Sequence, residues 1–154
     1  IRPLTVDDID TVVEFSLRAW APVFDSFRTV LGVPIYTALF PDWESTQARA
    51  VEDVCRDDAT SVWVADRQYR AAGFVAVRVG GGEIHMPAVD PDHQRQGIGS
   101  ALTSFAVERL REAGITLAVV GTGGDPGHAP ARRTYERAGF TPFPRVQYYR
   151  RLDR

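Results

Sequence analysis

Apolar residues recur at helical spacing through the first third of the chain and gather into short β-branched runs after it. The opening "IRPL" predicts a short first strand. Thr5 then starts T-V-D-D, a capping-box-like signal with Asp8 at the third helical position. Ile9, Val12, Val13, Leu17 and Trp20 follow at the spacing of an amphipathic helix. A second helical region, broken by Gly32 and Pro34, runs to Phe40. Residues 41–58, "PDWESTQARAVEDVCRDD", predict a further helix with Pro41 or Asp42 at its start.

The pattern changes at residue 60. "TSVWVAD" (60–66) and "AAGFVAVRV" (71–79) are rich in β-branched and aromatic residues and are separated by a short polar turn, so they predict a hairpin. "GEIHMPAV" (82–89) predicts a third strand after the "GGG" turn. A Gly-rich turn and a helix follow, ending at Ala113-Gly114. "ITLAVV" (115–120) predicts an apolar strand, "GTGGDPG" a loop, "HAPARRTYERAGF" a short helix stopped by Gly139, and "RVQYYRRL" a last strand. The order reads β-α-α-β-β-β-α-β-α-β. The strand-turn-helix-strand unit over 82–120 should be parallel and right-handed, and the other strands favour antiparallel pairing. The expected architecture is α/β of the α+β type: a mixed, mostly antiparallel sheet with a central parallel β-α-β unit and helices on both faces.

Length, charge and cysteine content narrow the classes. The 154 residues suit one domain, 1–154, with no repeat or linker. A net charge of −2 lacks the basic excess of a nucleic-acid binder. All 18 positive side chains are arginine, so a P-loop, which needs a lysine, is excluded. Cys55 is the only cysteine, which rules out an intrachain disulfide. No apolar run approaches the ~18 residues of a membrane span. These features predict a soluble, cytoplasmic protein without nucleic-acid or membrane partners. The chain begins at Ile1 without a Met, so a residue or more is expected to precede it. His85, His93, His128 and Cys55 show no metal-ligand spacing, and no metal is expected.

The turn "DPDHQRQGIGS" (90–100) sets polar donors and two glycines at the start of a helix. A helix N-terminus carries unpaired N–H groups and partial positive charge, and glycine lets a ligand approach them. The result is an anion site suited to phosphate. Glycines that merely allow tight strand–helix packing are the alternative. A dinucleotide fingerprint fails, because its third glycine falls on Leu102 counted from Gly97, and on Pro126 in the later loop.

Q-R-Q-G-I-G (Gln94 to Gly99) resembles the Q/R-x-x-G-x-G/A signature of the GCN5-related N-acetyltransferases. "APARRTYERAGF" is similar to that family's second motif, A-x-x-x-Y-x-x-x-G-F, with Ala131, Tyr135, Gly139 and Phe140 in register. The resemblance covers nearly the whole chain, most sharply 82–140. It implies the acyl-CoA N-acyltransferase fold, with acetyl-CoA as co-substrate and an amine of a small molecule or peptide as acceptor. Cofactor contacts would come from Ala88, Val89, Gln94, Arg95, Gln96, Gly97, Ile98, Gly99, Ser100, His128 and Ala131. The family often carries Asn seven positions before the tyrosine, and His128 stands there instead.

The same resemblance implies that the thioester lies between strands 82–89 and 115–120, splayed apart, with the Val89 N–H at the developing oxyanion. Tyr135 would be the general acid that protonates the departing sulfur. Glu83 and His85 alternate onto one strand face, and either can act as the base, with Glu83 preferred and His85 placed against the substrate. Trp20 and Phe24, within an N-terminal aromatic cluster, would help line the acceptor pocket. A homodimer through the C-terminal strands also accords with the resemblance. Two other readings stay open: a non-catalytic acyl-CoA-binding module, and a nucleotide-binding domain that uses the Gly97 turn.

Overall fold

Strands are held by pairing, and β-branched runs supply it over the middle of the chain. The computed structural model describes residues 1–152. Five strands, β1 (Arg2–Pro3), β2 (Ser61–Arg67), β3 (Arg70–Arg78), β4 (Glu83–Val89) and β5 (Val119–Val120), form one sheet in chain order. All neighbours are antiparallel except β4 and β5, which are parallel. The β2–β3 hairpin closes on Gln68 and Tyr69, both at positive φ. Two such residues in a two-residue loop match the right-handed strand twist.

The helices are α1 (Ile9–Leu31), α2 (Val33–Leu39), α3 (Trp43–Arg56), α4 (Ile98–Glu112) and α5 (Ala129–Arg137). Three helices therefore precede β2, where the expected order had two. The predicted starts hold: Asp8 Oδ2 accepts from the Thr5 N–H at 2.8 Å, and Asp42 Oδ1 accepts from the Ser45 N–H at 3.4 Å. Gly32, at φ 79°, separates α1 from α2.

The sheet has a core on each face. Ile98, Leu102, Ala106 and Leu110 of α4 pack with Val75, Val77 and Ile84. Val12 and Phe15 of α1 and Val51 of α3 pack with Val64, Phe74 and Ala88. The fold class is as expected, a mixed sheet with helices on both sides.

Three details differ from the expectation. Only Val119–Val120 of the predicted strand 115–120 pairs. The parallel unit is an edge of the sheet, not its centre, because residues 145–152 form no strand. That segment lies along α2 instead, where Arg151 Nη1 donates to the Pro34 carbonyl at 3.1 Å. The third detail is a bulge. Phe74 faces Ala88 and Ala76 faces His85, so Val75 stands opposite both Met86 and Pro87. Met86 takes φ +48°, and an extra residue of this kind inverts the alternation of the strand. Ile84 accordingly packs on the α4 face and Ala88 on the α1 face.

Candidate active site

β4 and β5 touch only at Glu83–Val119 and Ile84–Val120. Beyond that point β4 continues to Val89 while the chain after Val120 leaves as a loop. A V-shaped opening results. It is the mouth of a cleft of about 680 Å³, bordered by α1, α4 and α5, within the range of small-ligand sites.

The backbone of β4 decides what faces the opening. The Asp90 N–H donates to the Ala72 carbonyl at 2.8 Å. The antiparallel register then places Val89–Gly73 in the non-hydrogen-bonded position and Ala88–Phe74 in the bonded one. Ala88 therefore spends its backbone groups on β3 and has only its side chain left for the cofactor contact expected of it. Pro87 has no N–H. Val89 alone among residues 87–89 turns an N–H away from β3, and its carbonyl accepts from Gln94 Nε2 at 3.2 Å.

The anion-site geometry is built by two left-handed residues, Arg95 at φ 62° and Gly97 at φ 82°. Gly97 caps α4 without a side-chain hydrogen bond, so the first-turn N–H groups of Ile98, Gly99 and Ser100 keep their donor capacity. A Cβ on Gly99 would meet only Val89 Cγ2, at 3.7 Å. Arg95, Arg133 and Arg137 line the same cleft. The last two, one helical turn apart on α5, were not singled out from sequence, although their i, i+4 spacing below a phosphate-type turn was visible there. This donor set suits a polyphosphate attached to an extended arm.

Tyr135 lines the cleft and is 8% exposed, its ring edge-on to Phe140 with centroids 6.1 Å apart. Burial pushes its hydroxyl up to about 12, which keeps the proton on across the neutral range. Cys55 is outside the cleft, packed beside the α1–α3 core, and burial pushes its thiol up to about 11. It is unsuited to a covalent acyl-enzyme step.

Of the residues singled out from sequence, Trp20, Ala88, Val89, Gln94, Arg95, Gly97, Ile98, Gly99, Ser100, His128, Ala131 and Tyr135 come together around this cleft. Gln96 is exposed and outside its lining. Phe24 turns into an aromatic cluster, stacked on Trp43 at 4.3 Å, with Phe27 and Phe40 edge-on. Glu83 and His85 lie at the closed end of the V, outside the lining. Glu83 is about 17 Å along the strand from Val89, their β3 partners being Arg78 and Gly73, and its carboxylate stands 3.5 Å from Arg78 and 3.4 Å from His85. Burial, with Arg78 adding to it and Glu83 opposing, holds His85 below its ordinary value. No three His, Cys, Asp or Glu side chains come together as a metal-ligand set among the described residues, and no described helix is long and apolar enough to cross a membrane.

Residues 25–140 match the acetyltransferase (GNAT) family. The chain is similar to the mycothiol acetyltransferase of Clavibacter sepedonicus, with 31% identity over 91% of this chain and 42% of that protein. A mycothiol acetyltransferase of Sanguibacter keddieii is 38% identical over 54% of this chain and 29% of its own length. The chain thus spans less than half the length of the curated relatives it matches. Among solved structures, an aminoglycoside antibiotic 6'-N-acetyltransferase from Acinetobacter haemolyticus superposes with a TM-score of 0.64 at 14% identity, covering 99% of this chain and 98% of that one. A GCN5-related N-acetyltransferase from Ralstonia eutropha gives 0.61 at 20% identity, covering 96% and 95%. At those identities the structures speak for the fold.

Proposed function

We propose that this chain, which belongs to the GNAT acetyltransferase family, transfers the acetyl group of acetyl-CoA to a primary amine of a small molecule by direct attack. The observation that carries this reading is the outward N–H of Val89, set in one cleft between the uncapped start of α4 and the buried hydroxyl of Tyr135. The relatives named for mycothiol favour a small-molecule acceptor over a protein.

Each part has a chemical task. The N–H groups of residues 97–100, with Arg95, Arg133 and Arg137, hold the pyrophosphate. The arm then runs along β4, where Val89 supplies its carbonyl and N–H, and Gln94 must swing off that carbonyl to admit it. The thioester carbonyl comes to the Val89 N–H, which stabilises the negative charge that builds on oxygen. The amine attacks in its neutral form. Tyr135 Oη donates its hydrogen to the departing sulfur. The burial that raises Tyr135 acts on the thiolate too, and this strengthens the sulfur's hold on the proton.

Titration calorimetry with coenzyme A, together with thiol release from acetyl-CoA against a panel of primary amines, tests the reading. Micromolar binding and amine-dependent release support it. Binding without release for any amine assigns a non-catalytic acyl-CoA module. A response to a nucleoside triphosphate and none to coenzyme A overturns it.

A further inference from the structure

The loop between β5 and α5 holds a polar constellation that the reading above leaves without a task. His128 Nδ1 lies 2.5 Å from Asp125 Oδ1. Asp125 Oδ2 accepts from Ser26 Oγ at 2.6 Å and from the Gly127 N–H at 3.1 Å. That N–H also reaches Ser26 Oγ, at 2.9 Å. The His128 and Asp125 side chains are only 19% and 10% exposed. Burial pushes the Asp125 carboxyl up, and the hydrogen bonds from Ser26 and His128 outweigh it, so the group sits below the usual carboxylate range.

The surrounding chain is shaped for this pair. A Cβ on Gly123 would collide with the His128 ring and with Asp125 Oδ1; one on Gly127 would strike Ser26 Cβ and Val23 Cα of α1. Arg132 Nη1 donates to the carbonyls of Gly123 and Asp125, at 2.6 and 2.7 Å, and fixes the loop from α5. Phe27 packs on the imidazole with ring centroids 5.5 Å apart.

An ionised Asp125 accepting at Oδ1 assigns the hydrogen to Nδ1, which leaves a lone pair on Nε2. Nε2 has no protein partner among the described residues, and His128 lines the cleft together with Tyr135. Glu83 and His85, the strand candidates for a base, are at the closed end of the V and occupied with each other. Ser26 is no nucleophile, since its hydroxyl is spent on Asp125.

We infer that His128 is the proton acceptor of the reaction and that Asp125 is its positioning residue, an inference that rests on the acetyl-transfer reading. The neutral amine attacks the thioester carbon and forms the C–N bond. The adduct's N–H proton passes to His128 Nε2. The C–S bond breaks with its electron pair on sulfur, which takes the Tyr135 hydrogen. The imidazolium then returns its proton through water to the Tyr135 oxygen, and both groups are restored. Imidazole is suited to this task near neutral pH, and the carboxylate behind it stabilises the imidazolium as it forms.

Bromoacetyl-coenzyme A tests the placement without needing the acceptor. It sets an electrophilic carbon where the acetyl methyl lies. Nε2 can displace bromide from it and form an N–C bond. Peptide mapping of the whole chain should find the adduct on His128, with coenzyme A protecting. Only the neutral ring attacks, so the labelling rate should rise with pH. The groups around the ring are Asp125 on its own loop and Arg132 and Tyr135 on α5; α1 presents Ser26 and Phe27. Asp125 is held below the usual carboxylate range by Ser26 and His128, and burial keeps the Tyr135 proton on. Asp125→Asn should slow labelling by at least about tenfold by releasing the tautomer, and His128→Asn should abolish it. Both should bind coenzyme A within about threefold of the parent. Label on Glu83 or His85, or no label on a protein that binds coenzyme A, overturns the inference. So does loss of coenzyme A binding in His128→Asn, which assigns the ring to the cofactor. Failure of the parent to bind coenzyme A overturns the acetyl-transfer reading itself, and this inference with it.

Discussion

Arg18 Nη2 on α1 reaches Asp90 Oδ1 at 3.2 Å, across 72 positions of sequence. Asp90 is buried, and the same oxygen accepts from the Asp92 N–H at 2.9 Å. One ion pair thus fixes the helix that carries Ala19, Trp20 and Val23 to the first residue after β4, where the polar turn into α4 begins. Arg18 also binds Glu14, at 2.6 Å, so its head is held from both sides.

Replacing Arg18 by Met should therefore act on the ligand more than on the fold. A partly exposed pair contributes under about 1 kcal/mol, a fall in Tm of roughly 2–4 °C. Coenzyme A affinity should drop by up to about fivefold as the turn loses its brace. An unchanged calorimetric Kd would show that the backbone alone holds the turn.

Gly99→Val probes the space at the start of α4. A Cβ here would meet only Val89 Cγ2, at 3.7 Å, so circular dichroism and Tm should stay near the parent. The ligand needs that room, and binding of coenzyme A should weaken by more than about tenfold, or ~1.4 kcal/mol. Normal binding by a folded variant would move the pyrophosphate elsewhere.

Tyr135→Phe removes one buried oxygen and nearly conserves volume. Coenzyme A affinity should survive. The expected loss in kcat lies within the ~10²–10⁴-fold range of general acid catalysis, and it should shrink for an acyl donor with a more acidic thiol. Equal losses for both donors, with chemistry rate-limiting, would make Tyr135 a positioning residue.

Gly73→Ala tests packing below the cleft. Its Cβ would stand 2.9 Å from Ile98 Cγ2, 3.0 Å from Leu102 Cδ1 and 3.3 Å from the Ala88 carbonyl oxygen. Overpacking of this kind costs about 1–3 kcal/mol. Urea unfolding should show a lower midpoint with an unchanged slope; parental stability would mean that α4 shifts freely on the sheet.

Asp8 gives a pH signature. The bidentate bond from Arg2 holds its carboxyl at about 2, against the upward push of burial and with help from Thr5. The folded value is below the unfolded one, 3.8, so the stabilisation is present above pH 4 and fades as pH falls toward 2. Arg2 is 37% exposed, and solvent screening leaves roughly 1 kcal/mol. Asp8→Asn should cost that much at pH 7 and almost nothing at pH 2. An equal cost at both would assign the loss to packing.

The elements that announced themselves in the sequence are those set by near neighbours. Gly32 and Asp42 mark helix boundaries through local backbone geometry. Ile98, Leu102 and Leu110 show the face of α4 through a period of 3.6 residues. Gln94 to Gly99 and Tyr135 to Phe140 keep fixed spacings because each motif is a single turn or helix end. What pairing decides was hidden. "RVQYYRRL" has strand composition, yet composition makes no strand without a free partner edge, and β5 pairs through only two residues. Alternation predicted one face for all of β4; the bulge at Met86 reversed it halfway, and the pairing of Glu83 with Val119 puts Glu83 and His85 at the closed end. Ser26 and Asp125, 99 positions apart, share no local signal. They meet only because α1 packs on the loop after β5, and side chains that far apart in sequence are joined by the way helices stack on a sheet, which no periodicity along the chain records.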